Sequence, residues 1–177
     1  PKTDMVQTLQ REEEEKVLVE IEALGGLVHT LPAGSRKLNN VTSVFWAGRD
    51  VRDDDLQRVE TMTSLTALNL RATQVTDAGL VHIKALNRLN ALNLAATRVT
   101  DTGLAHLKTL KSLATLNLNG TQTTNAGMGH LAALSTLSTL DLGGTEVTDA
   151  GLGHLTGLRK LRLLRLEDSQ VTRRGII

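Results

Sequence analysis

The sequence predicts an α/β solenoid: an open, right-handed arc with parallel strands on the concave side, helices on the convex side and an N-terminal helical cap. Three observations carry that reading. A Val-Thr-Asp-x-Gly-Leu phrase at Val75 restarts at Val99, Thr123, Val147 and Val171, each time 24 residues after the last. Within each unit a Leu-x-Leu triplet has the two-residue period of a strand with one buried face. Between triplets, leucines recur every three residues, as at Leu104, Leu107, Leu110 and Leu113, which suits a helix or a tighter 3₁₀ stretch. One such unit cannot bury its own apolar face, so the units must stack. Successive strands then lie parallel, and their crossovers take the right-handed sense.

Two parts are expected along the chain, a cap over residues 1–40 and an array of 24-residue units over 41–177. From about Thr3 to Leu24 the cap reads as a helix, with Thr3 or Asp4 at its start, a stripe of Val17, Leu18, Ile21 and Leu24, and Gly25-Gly26 at its end. The acidic run Glu12 to Glu15 reads as its solvated face. Leu27 to Leu31 is a short strand, and Pro32-Ala33-Gly34-Ser35 turns the chain back too soon for a parallel crossover, so its pairing should be antiparallel. One period before Leu68 and Leu70 stand Val44 and Trp46, which makes Val44-Phe45-Trp46 the first repeat strand. The half-unit after it is irregular, yet Val51, Leu56, Val59, Met62 and Leu65 keep the apolar slots. Later strands centre on Asn69, Asn93, Asn117, Asp141 and Arg165, giving six repeat strands in all.

The unit resembles a leucine-rich repeat of the ribonuclease-inhibitor-like class. It is most similar to the cysteine-containing subtype of F-box substrate receptors, with Thr73, Thr97, Thr121 and Thr145 in the cysteine slot. Threonine-type units of this kind resemble bacterial arrays abundant in planctomycetes, as does the leader Ile21-Glu22-Ala23-Leu24-Gly25-Gly26. The resemblance covers residues 41–177. It implies the fold and a binding role, without saying what is bound.

Composition narrows the function classes. Apolar residues make up 40% of the chain but aromatics only 1%, so leucine, valine and alanine must build the core. A net charge of +1 gives no bulk attraction to nucleic acid or anionic membrane. No apolar run reaches the roughly 20 residues that cross a bilayer, so neither nucleic acid nor membrane insertion is expected. With no cysteine, disulfides and thiol chemistry are absent, and the compartment stays undetermined. Charge is polarised along the chain: residues 1–22 hold three basic and seven acidic side chains, residues 157–177 six and two, so opposite ends could attract head to tail. The last phrase breaks off at Ile177 without a polar cap, which leads us to expect either more chain or an edge left for a partner.

The repeated polar columns read mainly as structure. Asp77, Asp101, Asn125 and Asp149, each preceded by threonine, are expected to cap the helices that follow. Thr73, Thr97, Thr121, Thr145 and Ser169 should satisfy backbone groups in the turns after the strands. Gly79, Gly103, Gly127, Gly151 and Gly175 imply close approach of neighbouring coils, since glycine inside a helix costs roughly 0.5 to 1 kcal/mol. No phosphate-binding glycine motif occurs. His82, His106, His130 and His154 form a ladder that invites a metal. Packed helices lie ~8 to 10 Å apart, whereas two nitrogens on one zinc must sit within about 3 to 4 Å; half-buried imidazoles bonding a neighbouring coil are expected instead. Asp50, Asp53, Asp54 and Asp55 lack the alternation of a calcium loop. No catalytic group, cofactor or metal is expected, and the sequence gives no support to an enzyme.

What remains is the concave face. Its central column is Phe45, Asn69, Asn93, Asn117, Asp141 and Arg165, flanked by positions that include Arg71 and Asn119. The three asparagines could bond one another along their row, Asp141 and Arg165 could pair, and Phe45 is the natural aromatic anchor for a partner. The expected function is therefore a non-catalytic scaffold that binds an unidentified protein or peptide through Phe45, Asn69, Arg71, Asn93, Asn117, Asn119, Asp141 and Arg165. A second reading is the targeting or substrate-receptor domain of a longer multidomain enzyme, with further domains beyond this chain. A third is a glycan or cell-surface ligand.

Overall fold

The computed structural model describes residues 2–32 and 34–175, with backbone alone for residues 2–6. Helix α1 (Lys2–Ala23) opens the chain; the start expected at Thr3 or Asp4 concerns side chains outside the described set. Leu18 and Ile21 are buried and Val17 and Leu24 partly so, which makes the predicted stripe the face that docks. The helix stops where Gly25 turns left-handed at φ 73°, its N–H reaching Glu22 O (2.8 Å) while Gly26 N–H reaches Ile21 O (3.0 Å). A Cβ on Gly26 would overlap both Trp46 Nε1 and the Ile21 carbonyl. That close approach lets the fully buried Trp46 donate its indole N–H to Ile21 O at 3.4 Å, satisfying its one polar atom and fixing the cap to the first coil.

After the cap helix, β1 (Leu27–Thr30) pairs antiparallel with β2 (Val41–Phe45), His29 facing Ser43, as the short connection predicts. Every later pairing is parallel: β3 (Ala67–Asn69), β4 (Ala91–Asn93), β5 (Thr115–Asn117), β6 (Thr139–Asp141) and β7 (Leu163–Arg165) follow in chain order across one open seven-stranded sheet. Across the parallel strands β2 to β7 the register never slips. Val44, Leu68, Leu92, Leu116, Leu140 and Leu164 face one another in sequence, so the inward leucines of successive coils meet side by side. Most of that column is fully buried, and each buried leucine contributes on the order of 1.5 to 3 kcal/mol.

On the convex side the coil tightens or relaxes from unit to unit. Residues Asp53–Val59 and Gly79–Ile83 form 3₁₀ turns, whereas α2 (Asp101–Leu107) and α3 (Asn125–Leu131) are α-helical; α4 (Asp149–Leu152) runs into a 3₁₀ turn at Gly153–Leu155. A three-residue leucine spacing is compatible with both geometries, which is why the sequence left them open.

Each of the six repeat strands, β2 to β7, exits through one tight turn that the leucine pattern does not announce. Residues 48, 72, 96, 120, 144 and 168 all have positive φ, between 54° and 69°. Gly48, Gly120 and Gly144 adopt this without strain, but Ala72, Ala96 and Asp168 occupy the same slot, where a side chain costs about 1 to 2 kcal/mol. In five of the six turns the stack supports the shape: the N–H groups of Gly48, Ala72, Ala96, Gly120 and Gly144 each donate to the next coil at 2.7 to 2.8 Å. Asp168 keeps the same conformation beside a local turn bond from Ser169 N–H to Leu166 O at 3.1 Å.

Candidate functional site

Two polar columns run the length of the stack, and their hydrogen bonds separate structure from site. On the convex side Asp77 accepts the Thr100 N–H (2.7 Å) and the Thr100 hydroxyl (2.6 Å), and Asp101 does the same for Thr124 at 2.8 and 2.6 Å. Asp53 holds Thr76 and Asp149 holds Thr172 in the same way. Asp77, Asp101 and Asp149 were expected to cap their own helices. Instead each reaches the following coil, and the threonines do the capping: Thr100 and Thr124 Oγ1 accept from the N–H of Thr102 and Ala126. The glycine column exists for this link, because a Cβ on Gly103, Gly127 or Gly151 would overlap the acidic or amide side chain of the coil before. At Asn125 the rung is neutral and reversed; it accepts from Thr148 N–H and donates Nδ2 to Thr148 Oγ1, both at 2.9 Å, and Thr148 then makes no cap bond.

The threonine column after the strands is as expected. Thr73, Thr97, Thr121, Thr145 and Ser169 donate their hydroxyls to the carbonyls of Leu70, Leu94, Leu118, Leu142 and Leu166 at 2.6 to 2.7 Å. The histidines are less uniform. Only His82 of the ladder has a side-chain hydrogen bond among the described residues, from Nδ1 to Glu60 Oε2 of the preceding coil at 3.1 Å, and His154 is exposed. Among the described residues no three histidine, aspartate or glutamate side chains are placed to hold a metal ion.

The strand-side column behaves differently. Phe45, Asn69, Asn93, Asn117, Asp141 and Arg165 face one another across adjacent strands. The asparagines do not bond along their row. Each Oδ1 accepts the N–H two residues on: Arg71 (3.0 Å), Ala95 (3.0 Å) and Asn119 (2.9 Å). This Asx turn is the stronger local option, since it starts the tight turn that every coil needs. It occupies one lone pair of each Oδ1 and leaves Nδ2 of Asn69, Asn93 and Asn117 unbonded. These amides are not buried; among the described residues no buried side-chain nitrogen or oxygen lacks a partner.

A groove of about 230 Å³ lies beside those amides, walled by Asn69, Asn93 and Asn117 on one side and by Ala67, Ala91 and Thr115 on the other. Leu68 and Leu92 form its floor and Phe45 its end. Phe45 is half-buried, its ring tilted at 56° to that of His29 with centroids 5.2 Å apart, so the cap shields one side of the anchor and leaves the other to the groove. Four of the expected binding residues therefore meet in one place. Arg71 and Asn119 are exposed in the turns beyond it. Asp141 is only 8% exposed and donates nothing; it accepts the Gly143 N–H at 3.0 Å and lies 3.8 Å from Arg165 Nη1, forming the expected pair away from the groove.

The described cap carries a second charged cluster. Arg36 clamps Glu15 and Glu22 of α1, both at 2.7 Å, which holds the Glu15 carboxyl below the usual carboxylate range and pushes the guanidinium up. Arg58 likewise joins Glu20 to Asp55 at 3.1 and 2.8 Å. Much of the acidic end is thus spent on tying the cap to the chain. Among the described residues no helix is long and apolar enough to cross a membrane.

Comparison with known proteins agrees with this geometry. A family model described as leucine-rich repeat matches residues 61–84 and 133–155. An internalin of Listeria monocytogenes is similar over 92% of this chain, with 27% identity and a TM-score of 0.69. The chain spans about half of that internalin, 46% of its length. No curated protein matches at a significant level. The unbroken parallel register, the repeated turn and these matches make the chain a leucine-rich repeat protein.

Proposed function

We propose that this chain is a non-catalytic scaffold whose concave sheet face binds a protein or peptide segment, centred on the groove between Phe45 and Asn117. Leucine-rich repeats generally serve protein–protein interaction, and the observation that carries the local assignment is the row of unbonded amide donors beside an aromatic anchor. Arg71 and Asn119 would contact the partner from the turns, and the Asp141–Arg165 pair would bound the footprint. Binding energy concentrates where an aromatic and oriented polar groups share a desolvated centre. Ala91→Arg fills the groove without touching the leucine stack. In affinity capture from the native organism, a partner held by the wild-type chain should be lost from this variant while unfolding stability stays within about 1 kcal/mol. Equal retention would move the site off the concave face.

A second reading is the recognition unit of a longer multidomain protein, including an enzyme that uses it to choose substrates. It is supported by the similar internalin being roughly twice as long as the aligned region. Sequencing the gene on both sides of this stretch separates the two readings.

A further inference from the structure

Resting on that reading of the groove, we infer that its occupant is an α-helix that lays carboxylates along Asn69, Asn93 and Asn117 and an apolar side chain against Phe45. Chemistry comes first. Each of the three Oδ1 atoms already accepts a turn N–H, while both hydrogens of each Nδ2 are unbonded, so the open hydrogen-bonding capacity of the polar wall is weighted toward donors. Acceptor-only groups match such a wall, and amide bonds to a charged oxygen are roughly twice as strong as neutral ones. Asp141, next in the column, would oppose an anion, but its carboxylate already holds Gly143 N–H and faces Arg165. Exposed Arg71, following Asn69, adds positive charge at the opposite end.

Geometry then selects the backbone. Strands β3, β4 and β5 are each paired on both sides, so an arriving strand finds no edge to extend, and the groove runs across them. At ~4.8 Å per strand the three asparagines span about 9.6 Å. In an extended ligand three side chains on one face span roughly 13 Å. On a helix, positions i and i+7 lie about 10.5 Å apart with i+3 or i+4 between them. The helical misfit is about 1 Å, within reach of flexible glutamates; the extended misfit of about 4 Å is not. A 230 Å³ groove holds a row of side-chain ends and no whole chain, which suits a helix lying on the face.

The test uses nuclear magnetic resonance of the side-chain amides with three synthetic probes. One is a stapled alanine-based helix with glutamates at i, i+3 and i+7 and a leucine one turn before them. A second replaces the glutamates with glutamines. The third is extended by prolines and carries glutamates at alternate positions. We expect the first to shift the NH₂ resonances of Asn69, Asn93 and Asn117 together, leaving exposed Asn87 unmoved, and to bind at least tenfold more tightly than the others. Asn69→Asp, Asn93→Asp and Asn117→Asp combined should keep the turn, as Asp141 does naturally, and weaken the helix at least tenfold. If the triple variant fails to fold, Asn93→Asp alone should weaken it about threefold. Equal binding of the glutamine helix, better binding of the extended probe, or no shift at several millimolar overturns the proposal. In those cases, loss of the captured partner with Ala91→Arg means that only the helical ligand falls. Retention of that partner means that the groove falls with it.

Discussion

The convex acidic column and the concave asparagine column repeat with the same period, yet one is closed and the other open. Asp77 and Asp101 spend both oxygens on the threonine of the next coil, so the stack itself is their partner. Asn69, Asn93 and Asn117 satisfy only Oδ1, and do so within their own coil. A periodic polar residue is therefore structural where the neighbouring repeat completes it, and available where only its own turn does. Repetition alone cannot tell these apart; the count of unsatisfied donors can.

Stability should divide along that line. Removing a convex rung with Asp101→Ala strands the Thr124 N–H and hydroxyl and opens space beside Gly127, so urea unfolding should show a loss of about 2 to 3 kcal/mol. Asn93→Asp keeps the acceptor that its turn needs and should cost less than about 0.5 kcal/mol. Equal losses would mean that the concave column also holds the coils together.

Asn125 offers the reverse experiment. It is the one neutral rung among those described, and Asn125→Asp would let the Thr148 hydroxyl donate to a carboxylate as Thr124 does to Asp101. Replacing a neutral bond with a charged one should stabilise the array by about 1 kcal/mol. No gain would show that repulsion within the acidic column offsets the stronger bond.

The smallest effect is one of pH. The Thr172 hydroxyl and N–H bonded to Asp149 hold its carboxyl below the ordinary carboxylate range. A depressed folded-state pKa stabilises the protein above the unfolded value, and that contribution disappears as pH falls through the folded one. Carbon-13 titration should place the Asp149 midpoint below that of a free aspartate, and Thr172→Val should move it upward. An unchanged midpoint in the variant would remove the hydroxyl from the account.

Architecture was legible because it is written in leucine, and burial follows period two and period three directly: Leu68 to Leu164 stand in the predicted register. The strand-side columns were legible for the same reason, since alternate side chains must share a face. Partners were harder to read. The asparagines looked free to bond along their row, and the nearby turn N–H won because that geometry is already built into each coil. The acidic residues looked like local caps because a sequence shows neighbours along the chain; their true partners lie 23 residues ahead. A signal was present: Asp53 stands 24 residues before Asp77 in a unit that has lost the threonine and glycine of the phrase, and a glycine of the following unit shadows each member of the column. The left-handed turn went unseen because Ala72, Ala96 and Asp168 interrupt a glycine spacing that Gly48, Gly120 and Gly144 otherwise mark.

The contrast between a closed and an open column is tested most directly by solvent exchange of the asparagine side-chain NH₂ groups in the free protein. Asn125, whose Nδ2 is held by Thr148, should exchange at least tenfold more slowly than Asn69, Asn93 and Asn117. Equal protection of all four would contradict the account, because the concave amides would then already have partners within the chain.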